Sequence, residues 1–398
     1  MNNSQLPIAV AGGGIGGLTA ALALSRIGIP VHLFEQAHEI KEIGAGIQLG
    51  PNAFHILKHL GITDQVNQLA SFPNDLVVMD SLSGEQVMRI STGTHITERF
   101  GYPYGLIHRA DLHQVLLQAC MASPLIDLST ATKVVDFEDI GSHVVVALEN
   151  GEKVDAAALI GADGLWSKVR ERIIGDGKPR VSGHIAYRAV LPIDAVPEEN
   201  RTNCMTLWAG PKNHLVHYPL RGGKLFNLVA VFHSDRYDEG WDSFGEAEEL
   251  ILRFKGVVPA VQQMLEKIES WRMWVLCDRE PIKDWSLGRT TLLGDAAHPT
   301  LQYLAQGACM AMEDAVCLAN KVASMPGAYE AAFKAYDQTR YQRTARVQLT
   351  ARLYGQVYHA VGASRDLRNS YLNNRSPQQF LDGNAWLYDP KEVDRAIF

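Results

Sequence analysis

The sequence predicts an α/β protein in which a strand–helix–strand unit is interrupted by a mostly antiparallel sheet and followed by a helical C-terminal region. Three observations lead there. From Pro7 to Glu35 the letters read strand, glycine-rich turn, helix, strand. Between His184 and His233 the texture changes to long strands, HIAYRAVLP, CMTLWAG, HLVHYPL and KLFNLVAVFH. Beyond RTTLLGD, helical spacing runs from about Ala308 through Tyr358. A chain of 398 residues also exceeds the size at which one core stops growing, which favours two packed units.

The first strand is expected over about Pro7 to Ala11, the helix over Ile15 to Gly28, and the second strand over Pro30 to Glu35. Gly12, Gly14 and Gly17 then occupy the GxGxxG positions of the turn. Each glycine answers a separate need: a tight turn, backbone close to a pyrophosphate, and close packing of helix on strand. The helix N-terminus adds free N–H groups and partial positive charge for phosphates. Glu35 lies eighteen residues past Gly17, where a carboxylate can accept from both hydroxyls of an adenosine ribose. An acid there argues against a 2′-phosphate, and this motif alone leaves FAD and NAD open. The apolar run around the turn imitates a membrane span, yet its glycines and Arg26 argue against one, and no transmembrane segment is expected.

After GAGIQLGPNA comes a helix with Ala53, Ile56, Leu57 and Leu60 on one face, then a hairpin made of LVVMDS and VMRI. IHRADLHQVLLQAC resumes helical spacing, with Asp111 expected as the N-cap. HVVVAL and VDAAALIGADG return to strands, and Arg221, Gly222, Gly223 and Lys224 close a hairpin. Helices are expected around Ala247 to Phe254 and Val258 to Ile268. Strand alternation places His214, Val216 and Tyr218 on one face and Leu215 and His217 on the other, so His214 and His217 cannot share an ion and no metal is expected. The same alternation lets at most one of Tyr187 and Arg188 reach a pocket, and neither is assigned.

The net charge of −7 is spread without a basic run, which argues against nucleic acid as a partner. Five scattered cysteines with no CxxC pair fit reduced thiols in a cytoplasmic protein, and MNNSQLPIAV lacks the positive start of an export signal.

Three motifs follow in order: GGGIGG with Glu35, GADGLWSKVR at 161 to 170, and GDAAHP at 294 to 299. In that order they resemble the single-component flavoprotein aromatic hydroxylases, over nearly the whole chain. The resemblance implies a Rossmann-like FAD-binding domain from 1–75, 100–178 and 280–360, a β-sheet substrate domain from 76–99 and 179–279, and a C-terminal tail over 361–398. It implies bound FAD, with NADH or NADPH as a transient co-substrate and NADH favoured. Asp295 is similar to the family aspartate that accepts from ribityl hydroxyls, and Pro299 to the proline beside the flavin. Backbone around Gln306, Gly307 and Ala308 begins a helix aimed at the flavin's pyrimidine edge. Asp163 and Gly164 match a pair serving both nucleotides, while Ser167 and Arg170 carry simple readings as a helix cap and an ion-pair partner. Arg109 matches an arginine that reaches the phosphate or ribityl side. The segment Gly44 to Leu49, with Gln48, corresponds to the flavin loop.

HPTLQYLAQGAC and HLVHYPLRGG are similar to the 3-hydroxybenzoate 6-hydroxylase subfamily, which implies a hydroxylated aromatic acid and dioxygen as substrates and 2,5-dihydroxybenzoate as product. There His214 would accept the phenolic proton, with Tyr218 and Gln302 orienting the ring. Hydroxylation of salicylate or 6-hydroxynicotinate is the near alternative, and a flavin oxidase or reductase without oxygen insertion the distant one. The resemblance also implies a homodimer, for which the stripe in ARLYGQVYHAVG is a candidate.

Overall fold

The computed structural model describes residues 6–40, 45–234, 243–268 and 271–398. Gly44 of the expected flavin loop and the first five residues lie outside them. The first sheet runs in the order Ser286–Leu287, Thr290–Leu292, Ala158–Gly161, Ile8–Ala11, Val31–Phe34, Ile126–Ser129. All neighbours are parallel except the first pair. Parallel strands covered on both faces carry unbroken apolar runs, and Ile8–Ala11 is buried at every position.

This order explains why three distant motifs converge. Each motif leaves the C-terminal end of a strand, and the three strands are neighbours, so Gly12, Ala162 and Leu293 emerge side by side. In open α/β sheets ligands bind at that edge. The helices Ile15–Arg26 and Gly307–Ser324 pack there at close range: a Cβ on Gly16 would lie 2.8 Å from Leu293 and 3.3 Å from Ala311.

The second sheet has eight strands in the order Ser243–Gly245, Trp271–Asp278, Arg180–Pro192, Leu225–His233, Asn213–Leu220, Cys204–Gly210, Asp75–Asp80, Gln86–Ser91. It is antiparallel except where Cys204–Gly210 runs alongside Asp75–Asp80. One face, with Tyr187, Leu215, Leu228 and Phe232, forms a core with the helices Ala247–Arg253 and Pro259–Glu266. The other face turns toward the first unit. A two-stranded ladder of Gly46–Leu49 with Gly105–His108 and a three-stranded sheet, Val134–Asp139, Val144–Leu148 and Lys153–Ala156, complete the β structure among the described residues.

One expectation is corrected. The helix Arg109–Met121 is capped by His108, whose ring accepts from Ala110 N, while Asp111 turns outward to pair with Arg221 at the hairpin tip, 2.7 Å away. A carboxylate offered a guanidinium in bidentate geometry gains more there than from a single N–H. The tail over 361–398 is helical. It holds the helices Ala363–Asn373, Pro377–Tyr388 and Pro390–Arg395, the second opened by a capping box at Ser376 and Gln379. Asp80, fully buried, fastens the first of them by accepting from Arg365, Arg368 and Asn369. Burial alone would raise the Asp80 pKa, but Arg365, Asn369 and nearby backbone N–H groups outweigh it and hold the carboxyl well below its usual range.

Candidate active site

The glycine turn is shaped by close approach. Gly12 has φ of +108°, and a Cβ on Gly17 would meet Gly12 O at 1.9 Å, so neither position admits a side chain. The helix Ile15–Arg26 begins with no side-chain cap and no acid in its first turn, leaving its N–H groups for a phosphate. Glu35 stands at the end of the second strand and accepts from Gly13 N at 2.7 Å and Ala37 N at 2.8 Å, which aims its carboxylate at the rim of the turn.

A second helix start of the same kind lies across the strand ends. Gly307–Ser324 also lacks a side-chain cap and a first-turn acid, and a Cβ on Gly307 would lie 3.9 Å from Asp295 Oδ1, so Asp295, Gly307 and Ala308 share one corner. Two uncapped helix starts at one sheet edge fit an elongated group with anionic character at two places, as FAD has. Pro299 is buried, and its carbonyl accepts from Gln348 at 3.0 Å. Arg170 donates to the carbonyls of Ala296 and Ala297 at 2.9 and 2.6 Å, and Asp314 accepts from Gly294 N at 3.1 Å and faces His298 at 2.6 Å. Arg170 therefore does more than pair with Asp176: it fixes the loop that carries Asp295 and Pro299.

Asp163 lies against the glycine turn: a Cβ on Gly12 would be 3.1 Å from its Cα. Its carboxylate accepts from the Ser167 hydroxyl at 2.5 Å and from Lys168 N at 2.7 Å, tying down the start of the helix Lys168–Ile173, and burial raises its pKa. Ser167 caps that helix. Arg109 opens its helix with its N–H on Ala45 O at 3.2 Å, at the base of the loop carrying Gln48.

The floor is the inner face of the second sheet, where pairing sets Arg188, Val229 and Val216 in one row and Ala186, Val231 and His214 in the next. Tyr218 lies two residues beyond Val216. Gly46 N donates to Asn227 at 2.7 Å, and a Cβ on Gly46 would meet Tyr218 at 2.5 Å, so the loop lies directly on the floor. Gln48 accepts from the Tyr104 hydroxyl at 2.5 Å and bonds Tyr218. Burial pushes the Tyr218 hydroxyl far up despite Arg188 nearby, so it is a neutral donor.

The guanidinium of Arg188 bonds Gln302 and lies 5.3 Å from the Trp274 ring. Its Nε is shielded from solvent without a partner, and no carboxylate pairs with it among the described residues. Burial pulls its pKa down to about 10, so it stays charged at neutral pH. Tyr187 points the other way, its hydroxyl donating to Glu249 at 3.0 Å. Alternation could show that only one of the two reaches the site; which one was legible only from the sheet's packing.

His214 is 3% exposed, and burial together with His184 lowers its pKa to about 3, so the ring is neutral, with one N–H and one lone pair. It sits against Tyr303, Tyr358 and His359. His217, on the opposite face, accepts from Trp208 at 3.0 Å and takes no part. The ring nitrogens of His184, His233 and His359 come within 4.8 Å of one another, and a hydrogen bond between His233 and His359 accounts for part of that spacing. The structure thus joins Tyr218, Gln48, Arg188 and Gln302 in one cluster, with His214 on the same face beyond Val216. An acceptor at one end and a cation at the other suit a flat molecule bearing a phenol and an anionic group.

A family model described as FAD binding domain matches residues 5–351. The chain is 47% identical over 383 residues to a 3-hydroxybenzoate 6-hydroxylase of Klebsiella oxytoca, covering 96% of each chain. Among solved structures, a salicylate hydroxylase substrate complex aligns with TM-score 0.84 at 26% identity, over 100% of this chain and 99% of that one. HpxO of Klebsiella pneumoniae, complexed with FAD and uric acid, aligns with TM-score 0.84 at 25% identity, over 98% and 96%.

Proposed function

From the premise that the chain belongs to the single-component FAD-dependent aromatic hydroxylases, we propose 3-hydroxybenzoate as its substrate, hydroxylated para to its hydroxyl to give 2,5-dihydroxybenzoate. The chain is an NAD(P)H-dependent flavoprotein monooxygenase for a phenolic aromatic acid. The observation that carries the finer reading is Arg188, a shielded guanidinium without a carboxylate partner among the described residues, on the same sheet face as a neutral imidazole.

Bound FAD would supply the activation of dioxygen, with electrons from the nicotinamide nucleotide. Gly12, Gly14, Gly17 and Glu35 would hold its adenosine end, and Asp295, Pro299, Gly307 and Ala308 the other, with Gln48 and Arg109 on the covering loop. Asp163 serves by fixing the helix after it. The polypeptide's remaining work is to place the ring and raise its electron density. Arg188 receives the substrate carboxylate, replacing a missing counter-charge. Tyr218 and Gln302 donate to the ring's oxygens and set its plane. His214 accepts the phenolic proton, and the negative charge left on oxygen enriches the para carbon. Val216 and Val229 make the floor apolar, which limits water at the reacting face.

NADH as the preferred donor, a homodimer and a cytoplasmic location belong to this reading. Leu349, Leu353 and Leu367 are exposed, which supports a pairing face; no helix among the described residues is long and apolar enough to cross a membrane. The test is incubation of the holoenzyme with NADH, labelled dioxygen and, separately, 3-hydroxybenzoate, salicylate and 6-hydroxynicotinate. Labelled 2,5-dihydroxybenzoate is expected from the first. Coupled turnover of only one of the others, or hydrogen peroxide with no labelled product, refutes the assignment.

A further inference from the structure

Behind His214 lies a row of imidazoles that the reaction as described leaves idle. His214 Nδ1 is 2.7 Å from His359 Nε2, and His359 Nδ1 is 3.0 Å from His233 Nε2. Every contact joins Nδ1 of one ring to Nε2 of the next, so the middle ring is engaged through both nitrogens. Access to solvent rises along the row, from 3% exposure at His214 and 5% at His359 to a half-buried His233.

The backbone holds the three together. Lys212, at φ of +58°, donates its N–H to His359 O at 3.1 Å, and its own carbonyl accepts from His233 N at 3.0 Å. One turn residue therefore grips both the end of the helix Tyr329–Tyr358 and the end of the strand Leu225–His233. Burial lowers the pKa of all three rings, aided by His184 at His214, by the neighbouring histidines and Arg368 at His359, and by Lys212 and Arg253 at His233. A neutral imidazole carries one N–H and one lone pair, which is what a hand-over needs, whereas a doubly protonated ring offers only donors and would break the row. His184 stands aside, its Nδ1 on the Tyr303 hydroxyl at 2.5 Å.

We propose that His214, His359 and His233 form the exit path by which the phenolic proton leaves the buried site, an inference that rests on His214 as the proton acceptor. The phenol O–H bond breaks as an N–H forms at His214 Nε2. The proton on His214 Nδ1 passes to His359 Nε2, that on His359 Nδ1 passes to His233 Nε2, and that on His233 Nδ1 passes to water. Each ring remains neutral with its N–H moved from Nδ1 to Nε2, and return of one proton when the product phenol re-forms restores the starting tautomers. His359 and His233 are relay residues in this scheme and do not touch the substrate.

The experiment follows proton release with a pH indicator, and phenolate formation by ultraviolet absorbance, as 3-hydroxybenzoate binds to the holoenzyme in a stopped-flow instrument. His214→Asn is expected to abolish both signals. Wild-type signals in that variant would remove the acceptor and the chain with it. In His359→Gln and His233→Gln the release is expected to slow by about tenfold or more, at unchanged flavin content and substrate affinity. Imidazole added to the buffer should restore release in His233→Ala, where the gap opens to solvent. If His214→Asn loses the signals but release in His233→Gln stays within about twofold of wild type, the chain is refuted while the acceptor stands. The His233 variants, at a half-buried position, decide the matter even if His359→Gln does not fold.

Discussion

Replacing Arg188 by Met should move stability and substrate affinity in opposite directions. The side chain keeps its length and loses its charge. In the protein without substrate that charge is a liability: its Nε lacks a partner, and burial pulls its pKa to about 10. Removing an uncompensated buried charge leaves the unfolding midpoint unchanged or higher. Affinity has the other sign. A carboxylate about 4 Å from the guanidinium at an effective dielectric of about 20 feels at most about 4 kcal/mol, and hydrogen bonds to charged groups net about 1.5–3 kcal/mol. Binding of 3-hydroxybenzoate should therefore weaken by about tenfold to a hundredfold. The assay is titration of the flavin spectrum with 3-hydroxybenzoate and with its neutral amide. Wild type should prefer the acid, and the variant should show little preference, because the amide never used the charge. A change of less than about twofold for the acid, or equal weakening of both ligands, would refute the anchoring role.

Gly17→Ala should abolish FAD binding or soluble expression, since its Cβ would meet Gly12 O at 1.9 Å; a yellow protein of normal flavin content would contradict this. Glu35→Ala should weaken flavin binding by about tenfold, read by fluorescence titration of apoprotein, as expected for loss of hydrogen bonds to a charged acceptor. Burial holds His184 at about 4 and His214 and His217 at about 3, below the usual histidine range, so the unfolded chain binds more protons as pH falls below about 6.5. Urea unfolding should accordingly show stability falling from pH 7 to 5, by up to about 1.4 kcal/mol per pH unit for each histidine, and His217→Gln should flatten the slope; a flat wild-type profile contradicts the argument. Asp80→Ala strands Arg368 in the interior and should cost about 3–5 kcal/mol, seen as a lowered unfolding midpoint with the tail helix first to open to hydrogen exchange.

What could be read from the sequence was what is local. The strand, turn, helix and strand around Gly12 to Glu35 are one contiguous run whose residues answer to one another, and the shared face of His214, Val216 and Tyr218 on the strand Asn213–Leu220 followed from alternation, though not which face looks inward. Features built across long separations stayed hidden. The helix Ala363–Asn373 is polar around most of its surface, and its anchor is an ion pair between Arg368 and Asp80, 288 residues apart, which no periodicity can register. His359 meets His214 across 145 residues for the same reason. At the start of the helix Arg109–Met121 two acceptors compete for the cap, and the winner depends on Arg221, delivered by a hairpin from the other unit. The strand Trp271–Asp278 is hidden in the sequence because Arg272 and Asp278 interrupt its apolar pattern. Asp278 is buried there only because Arg180 and Arg352 pair with it.

The cofactor edge and the substrate floor belong to different sheets, so some element must fix the distance between them, and the helix Tyr329–Tyr358 does so along its thirty residues. Toward its middle, Arg340 and Arg343 bind the buried Glu313 and Asp314 of the helix that opens at Gly307. Further along, Gln348 holds the Pro299 carbonyl and Arg352 pairs with Asp278 of the second sheet. At its end His359 meets His214. A helix rises about 1.5 Å per residue, so these contacts are spaced along a rod of about 45 Å whose length does not change. Position and proton path are then set by the same element: a shift that moved the Pro299 loop relative to the floor would also part His359 from His214, which ties the placement of the ring beside the flavin to the removal of its proton.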